Sequence, residues 1–277
     1  MRLKTDWIAH LQKIRRQEFE LIFERFPSKA FPAGLELGAG DGYQSKLMEP
    51  YVRSLVSTDF QRPPLTDKTG SVIFRACDAE EIGQNFGASE FDLVYSSNLL
   101  EHLPDPGSAL RGAHKVLRDD GITIHVVPSP TWKLFHLLLY PVHLFARTLE
   151  VISERVRPQE SRQDHEAVHV SAFQVLNPKT TRRRRSRLNR LLIPEPHGVS
   201  PSNFSEFHAF SKGRWKRELG LASFDVLAVL KGPLASGYGF GFDSLRNSLR
   251  KLGLCSEYIY VAKKAGKTSR YEKYFLH

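Results

Sequence analysis

Acids placed next to glycines give this chain its first chemical signal. In Leu35-Glu36-Leu37-Gly38-Ala39-Gly40-Asp41-Gly42 an apolar segment runs into a glycine-rich turn, with Glu36 before the turn and Asp41 inside it. Glycines let a backbone come close to a ligand because no Cβ intervenes. The next apolar segment, Leu55-Val56-Ser57-Thr58-Asp59, ends on another acid, about twenty residues past the turn, where a carboxylate reaches a ribose diol. Ile73-Phe74-Arg75-Ala76-Cys77-Asp78-Ala79-Glu80 repeats the pattern, and a carboxylate at that tip can accept an exocyclic amine of adenine. Glu101-His102 follows a fourth apolar run, and histidine is matched to proton transfer near neutral pH.

The glycine spacing separates ligand classes. Gly38, Gly40 and Gly42 read G-x-G-x-G, and Tyr43 stands where a dinucleotide fingerprint has its third glycine. No Gly-Lys-Ser/Thr follows, which argues against a nucleoside triphosphate. Acids around the turn repel phosphate and suit a ligand that carries an ammonium and a sulfonium.

The elements that must hold these residues alternate. Strands end at Asp59 and Asp78, and Phe91-Asp92-Leu93-Val94-Tyr95-Ser96-Ser97 is a further strand leading into Asn98-Leu99-Leu100-Glu101-His102-Leu103. The pattern predicts a helix over 106–117, a turn at Asp119-Asp120-Gly121 and a strand over 122–127. Alternation of this kind means a parallel sheet with ligands at the C-terminal strand ends. Further on, residues from Ser205 to Leu221 read as a helix, 224–230 as a strand, 243–252 as a short helix and 257–262 as a last strand.

On the glycine turn, the two strand-tip acids and Phe91-Asp92-Leu93-Val94-Tyr95-Ser96-Ser97-Asn98-Leu99-Leu100-Glu101-His102-Leu103-Pro104-Asp105-Pro106, the chain resembles class I S-adenosylmethionine-dependent methyltransferases. It is most similar to the small-molecule branch that includes ubiquinone and menaquinone methyltransferases. The resemblance covers residues 30–128 and, more loosely, 204–264. It implies an α/β, Rossmann-like, doubly wound, seven-stranded, mostly parallel sheet with an antiparallel last strand and a helical or loop insertion after strand 5. It also implies S-adenosylmethionine as cofactor. Gly38, Ala39 and Gly40 would pass under the methionine part, and Glu36 would orient its amino group. Asp59 would hold the ribose hydroxyls with Phe60 against the adenine, and Asp78 beside Ala79 would meet the adenine amine. Ser96 and Ser97 would line the methionine end.

The chain therefore divides into N-terminal amphipathic helices (1–30), a cofactor-binding core (31–130), a substrate cap (131–203) and the C-terminal part of the core (204–277). At 277 residues it is long enough for one large domain with an insertion. Its two cysteines, Cys77 and Cys255, indicate no disulfide framework and point to a reducing, cytoplasmic setting. No zinc-like ligand spacing is present, and no metal is expected. His165 and His169 sit four apart without an evident third ligand. Much of the net charge of +10 comes from Arg182-Arg183-Arg184-Arg185, Arg187 and Arg190, without interleaved aromatics, so nucleic acid is not the expected partner. The apolar run Lys133–Ala146 is too short and too interrupted by Pro141 to span a bilayer. It reads as a cap helix, a pocket wall or a peripheral contact with the inner membrane face.

For a hydroxyl acceptor a base must take a proton, and His102 is the first candidate, ahead of His197 and His136. Pro-Thr-Trp after strand 5, the basic insertion and His197-Gly198 ahead of Glu206-Phe207 are similar to methyltransferases of bacterial cell-surface saccharides and lipids. That similarity implies O-methylation of a saccharide-containing or other hydroxylated metabolite, including a lipid-linked one. The alternatives are C- or N-methylation of a quinone-like or amine acceptor, and a nucleic-acid-binding protein with a non-catalytic fold.

Overall fold

A computed structural model describes residues 7–61, 68–156, 194, 196–197, 199–235, 238 and 243–275. Eight strands form one sheet: β1 (Phe31–Leu37), β2 (Val52–Asp59), β3 (Lys68–Thr69), β4 (Val72–Ala76), β5 (Phe91–Ser97), β6 (Leu117–Pro128), β7 (Phe224–Lys231) and β8 (Glu257–Lys264). Their order is β3-β4-β2-β1-β5-β6-β8-β7. β3 is a two-residue antiparallel edge on β4. The other seven strands make the Rossmann-like sheet, parallel except for β8, which runs antiparallel to both β6 and β7. Chain direction across the sheet reverses between β1 and β5, so a crevice opens at their C-terminal ends.

The helices are α1 (Trp7–Phe23), α2 (Tyr43–Met48), α3 (Ile82–Asn85), α4 (Pro106–Val116), α5 (Pro130–Val156), α6 (Asn203–Ala209), α7 (Lys212–Leu221) and α8 (Asp243–Lys251). β5 is buried from Phe91 to Ser96, as a central parallel strand covered on both faces must be. One face packs under α1 and the C-terminal segment, through Phe19, Phe23, Phe26, Phe31, Tyr95 and Tyr271. The other packs under α3, α4 and α7, through Ile82, Leu110, Val116, Trp215 and Leu219.

Three element boundaries differ from the sequence reading. Asp119-Asp120-Gly121 lies inside β6, which starts at Leu117; a register shift between Phe91 and Leu93 absorbs the irregularity. The helix expected from Ser205 to Leu221 is two, because Ser211 leaves helical geometry and its hydroxyl caps α7 by accepting from the Arg214 N–H. α5 continues through Pro141, where proline's missing N–H removes one rung of the helix. Among the described residues no helix is long and apolar enough to cross a membrane.

Candidate active site

The glycine turn is pinned to the neighbouring strand. The N–H groups of Gly38 and Ala39 both donate to the Thr58 carbonyl, at 2.8 and 2.9 Å. Gly38 has φ +75°, a conformation that favours glycine, and a Cβ there would also press on the Leu99 side chain at 3.0 Å. Gly40, at φ +54°, donates its N–H to Asp59 Oδ2 at 2.9 Å. Asp59 Oδ1 accepts from Gln61 N at 3.2 Å. Asp78 stands past the adjacent strand tip, because Cys77 N donates to the Asp59 carbonyl at 2.8 Å. Its side chain accepts from Glu80 N at 2.9 Å and caps the single turn Ala79–Glu81, which leaves one oxygen for another donor. Ala79 is buried, and Phe60 presents its ring to solvent at 64% exposure. Two acids, an exposed ring and a cradle without side chains thus share one edge of the sheet.

Glu36 lies below the turn, buried, and one of its oxygens accepts from Ser45 Oγ at 2.5 Å and Ser57 Oγ at 2.7 Å. Burial pushes its pKa above the usual carboxylate range, partly offset by the two hydroxyls.

Ser96 and Ser97 divide by strand alternation. Ser96 Oγ lies 2.7 Å from Nδ1 of His125, whose Nε2 lies 2.7 Å from Thr123 Oγ1, and all three residues are buried. The expectation that the Ser96 hydroxyl lines the methionine end is therefore corrected: it points into the sheet's packing layer. Ser97 faces the site and donates to Glu18 Oε1 at 2.7 Å. Glu18 also accepts from Tyr95 OH at 2.9 Å, Gln44 Nε2 at 3.1 Å and Arg15 at 2.9 Å. Arg15 also donates to Ser97 Oγ at 2.6 Å and stands 3.9 Å from Glu257, whose Oε1 accepts from Asn98 Nδ2 at 3.3 Å. One turn of α1 thereby closes the tip of β5 with a buried, charge-compensated network. Arg15, Glu18 and Glu257 were not among the expected site residues, since their only signal in the sequence is charge within an amphipathic helix and at a strand start.

Beyond β5, Glu101, His102 and His197 converge. His102 Nε2 lies 3.7 Å from Glu101 Oε1, and the two imidazole centroids are 4.6 Å apart. One donor atom from each of the three residues falls within 4.8 Å of the others, a geometry open to a cation as well as to a shared proton. Burial sets the protonation states. It lowers His102 to about 4 and His197 to about 3, and it raises Glu101 to about 8. At neutral pH both imidazoles are neutral and Glu101 holds its proton.

The return of the insertion is what brings His197 here. Lys133 and Glu206, both fully buried, form an ion pair, and Lys133 also donates to Asn203 Oδ1 at 2.5 Å. Glu206 accepts in addition from the backbone N–H of His197. Rings continue from there along α5. Trp132 packs against His197 with centroids 4.9 Å apart and stacks on His136 at 5.0 Å. Tyr238 stacks between His136 and His143, at 4.8 and 4.4 Å. His136 thus belongs to this wall and not to the Glu101–His102 pair. His165, His169, Arg182-Arg183-Arg184-Arg185, Arg187 and Arg190 lie outside the described residues.

Residues 35–125 match a family profile described as a methyltransferase domain. The chain is 26% identical over 178 residues to the ubiquinone biosynthesis O-methyltransferase of Pseudomonas aeruginosa, covering 57% of this chain and 76% of that protein. The enzyme of that description from Pseudomonas syringae matches over the same extent. In fold it is similar to an S-adenosylmethionine-dependent methyltransferase from Mesorhizobium loti, with a TM-score of 0.50 and 15% identity over 90% of this chain and 100% of that one. A protein of Listeria monocytogenes gives 0.52 with 14% identity, over 90% and 97%. Residues 35–125 are a methyltransferase domain, so the chain is an enzyme that uses S-adenosylmethionine as methyl donor. Its glycine turn, with open space beside Gly40 at positive φ, and its two strand-tip carboxylates fit that cofactor.

Proposed function

We propose that this enzyme O-methylates a ring hydroxyl of phenolic, quinone-related chemistry on an acceptor that carries an apolar tail, with His102 as the base. In this reading Gly38, Ala39 and Gly40 cradle the cofactor's methionine part, Asp59, Phe60, Asp78 and Ala79 hold its nucleoside, and Glu36 and Ser97 flank its amino acid end. S-adenosylmethionine supplies an electrophilic methyl group on a sulfonium. With the cofactor supplying the methyl group, His102 would accept the proton that the acceptor hydroxyl gives up as it is methylated. Holding oxygen, carbon and sulfur in line is worth about 7–11 kcal/mol in favourable cases.

The observation that carries the acceptor class is the histidine's own weakness. A base held at about 4 stays unprotonated across the neutral range but pulls weakly on a proton. It suits a phenol, with an ordinary pKa of about 10, better than the much less acidic alcohol of a saccharide. The wall of Trp132, His136, Tyr238 and His143 offers flat rings for an aromatic acceptor to lie against. The named relatives support the same choice over C- or N-methylation.

We assign residues 131–203 as the acceptor cap. On α5, Leu134, Leu138, Val142 and Phe145 recur at helical spacing and are exposed, which suits a peripheral membrane contact that delivers a tailed acceptor. Methyl-labelled cofactor offered to separate phenol, quinol, saccharide and amine pools, with mass spectrometry of the product, tests the reading. Label on a phenolic oxygen is expected. Label on a saccharide hydroxyl, a carbon or a nitrogen would overturn it.

A further inference from the structure

We infer that Glu257 is the counter-ion of the methyl donor's sulfonium, so that the site tells charged S-adenosylmethionine from the neutral thioether left after transfer. Glu257 opens β8 opposite Pro128, the last residue of β6, because those two strands run antiparallel. It therefore stands at the same sheet edge as the tip of β5. Asn98 joins the two. Its φ of +49°, a left-handed geometry that asparagine takes more readily than most residues, ends the extended run of β5. Its backbone N–H donates to the Val126 carbonyl at 2.9 Å. Its side-chain amide donates to Ser97 Oγ at 3.2 Å and to Glu257 Oε1 at 3.3 Å. One amide thus bridges Glu257 and the serine that faces the site.

Two carboxyls here face one guanidinium. Arg15 stands 2.9 Å from Glu18 and 3.9 Å from Glu257. Glu18 accepts from Tyr95, Gln44, Ser97 and Arg15, so it is the ionised partner of Arg15. Glu257 is the acid left over. It is 8% exposed, and among the described residues its Oε2 receives no hydrogen bond. Burial raises its pKa to about 8, helped by the charge of Glu18 and by the hydrogen bond that its protonated form gives to Glu18; Arg15 and Asn98 oppose the rise. From the residue pair before β8, the Cys255 thiol also faces Glu257, and burial keeps it neutral. At neutral pH Glu257 thus holds a proton, and the charges of Arg15 and Glu18 cancel. A sulfonium beside Ser97 favours the ionised form, so Glu257 gives its proton to solvent and each cation then has its own carboxylate. Once the methyl group has left, the thioether carries no charge, and Glu257 takes a proton back. Affinity for S-adenosylmethionine therefore rises with pH up to about 8 and levels off above it. The inference rests on the proposed reading that Ser97 flanks the methionine end.

The test is calorimetry on the full chain, wild type and Glu257→Gln, with S-adenosylmethionine and S-adenosylhomocysteine. Titration at pH 6.5 in two buffers of different ionisation heat counts the protons released. At that pH the ligands' own amino groups, which ordinarily titrate at about 7.7–8.0, stay protonated. Wild type should release roughly half a proton or more per S-adenosylmethionine bound, and none with S-adenosylhomocysteine. Glu257→Gln should release none with either ligand. At pH 8.5 the variant should bind S-adenosylmethionine about tenfold more weakly than wild type, with S-adenosylhomocysteine within about twofold. Equal proton release by wild type with the two ligands overturns the inference, and so does unchanged S-adenosylmethionine affinity in the variant. A variant that binds neither ligand has lost its site, and the wild-type proton count then decides alone. A wild type that binds neither ligand would strike the reading of the cofactor site itself, together with this inference.

Discussion

Glu101, buried, and its neighbour His102, half-buried, are driven by desolvation in opposite directions, to about 8 and about 4. The pair therefore spans the neutral range with the imidazole open to a proton and the carboxyl already holding one. His102→Ala should lower kcat about 10²- to 10⁴-fold, the usual worth of a positioned base, while S-adenosylhomocysteine affinity stays near wild type. Equal losses in both would mark His102 as a support of the cofactor. His125 makes a separate prediction, about stability. Its folded pKa, about 3, lies below the ordinary 6.5, so the unfolded chain takes up the proton first as pH falls. Its contribution is complete above pH 6.5 and drains as pH falls toward 3. Between pH 6.5 and 5 that amounts to about 2 kcal/mol. Urea unfolding at the two pH values should show the wild type losing about that much more than His125→Asn. Equal losses would contradict it.

At the scale of elements, the latch between the start of α5 and α6 is the most consequential feature. Lys133, Glu206 and Asn203 are buried together, and Glu206 also fixes the backbone of His197. Removing one partner of a buried ion pair costs about 3–5 kcal/mol, because the other charge is stranded. Lys133→Met should cost about that much in urea unfolding, and Lys133→Met combined with Glu206→Gln should cost less than Lys133→Met alone. A double variant worse than the single one would show that the pair stabilises more than it strands.

The same elements show what could be read from residues alone. Strand tips at Asp59 and Asp78 were legible because glycines and acids punctuate apolar runs there. The Ser96 and Ser97 pair was legible only as a pair: a one-residue phase decides which hydroxyl faces the site, and burial of His125 sets that phase. His197 stood out only weakly beside His102, because a backbone N–H bonded to a distant buried carboxylate leaves no periodicity in the sequence. Ser211 split a helix that apolar spacing reads as continuous, since a hydroxyl cap competes locally with the helix.

Across the whole molecule, the two halves of one sheet take separate roles in the proposed function. The nucleoside would lie over β2 and β4, and the acceptor would enter over β5, β6 and α5, with α1 closing the top between them. α5 carries stacked rings and, separately, an exposed apolar stripe, and in the proposed function the first would face the acceptor. Leu138→Asp combined with Phe145→Asp should reduce co-sedimentation with vesicles and raise KM for a lipid-tailed phenol, with KM for its tail-less analogue unchanged. Vesicle binding at the wild-type level would remove the membrane role from this face.

In the proposed function the glycine turn and the carboxylates at successive strand ends hold the methyl donor. Calorimetric titration of wild type and Asp59→Ala with S-adenosylhomocysteine tests it most directly. Wild type should bind, and the variant should bind at least about tenfold more weakly, a loss of about 1.4 kcal/mol or more. Silence in the wild type, or equal affinity in the two proteins, would show that Asp59 and the glycine turn do not hold the methyl donor.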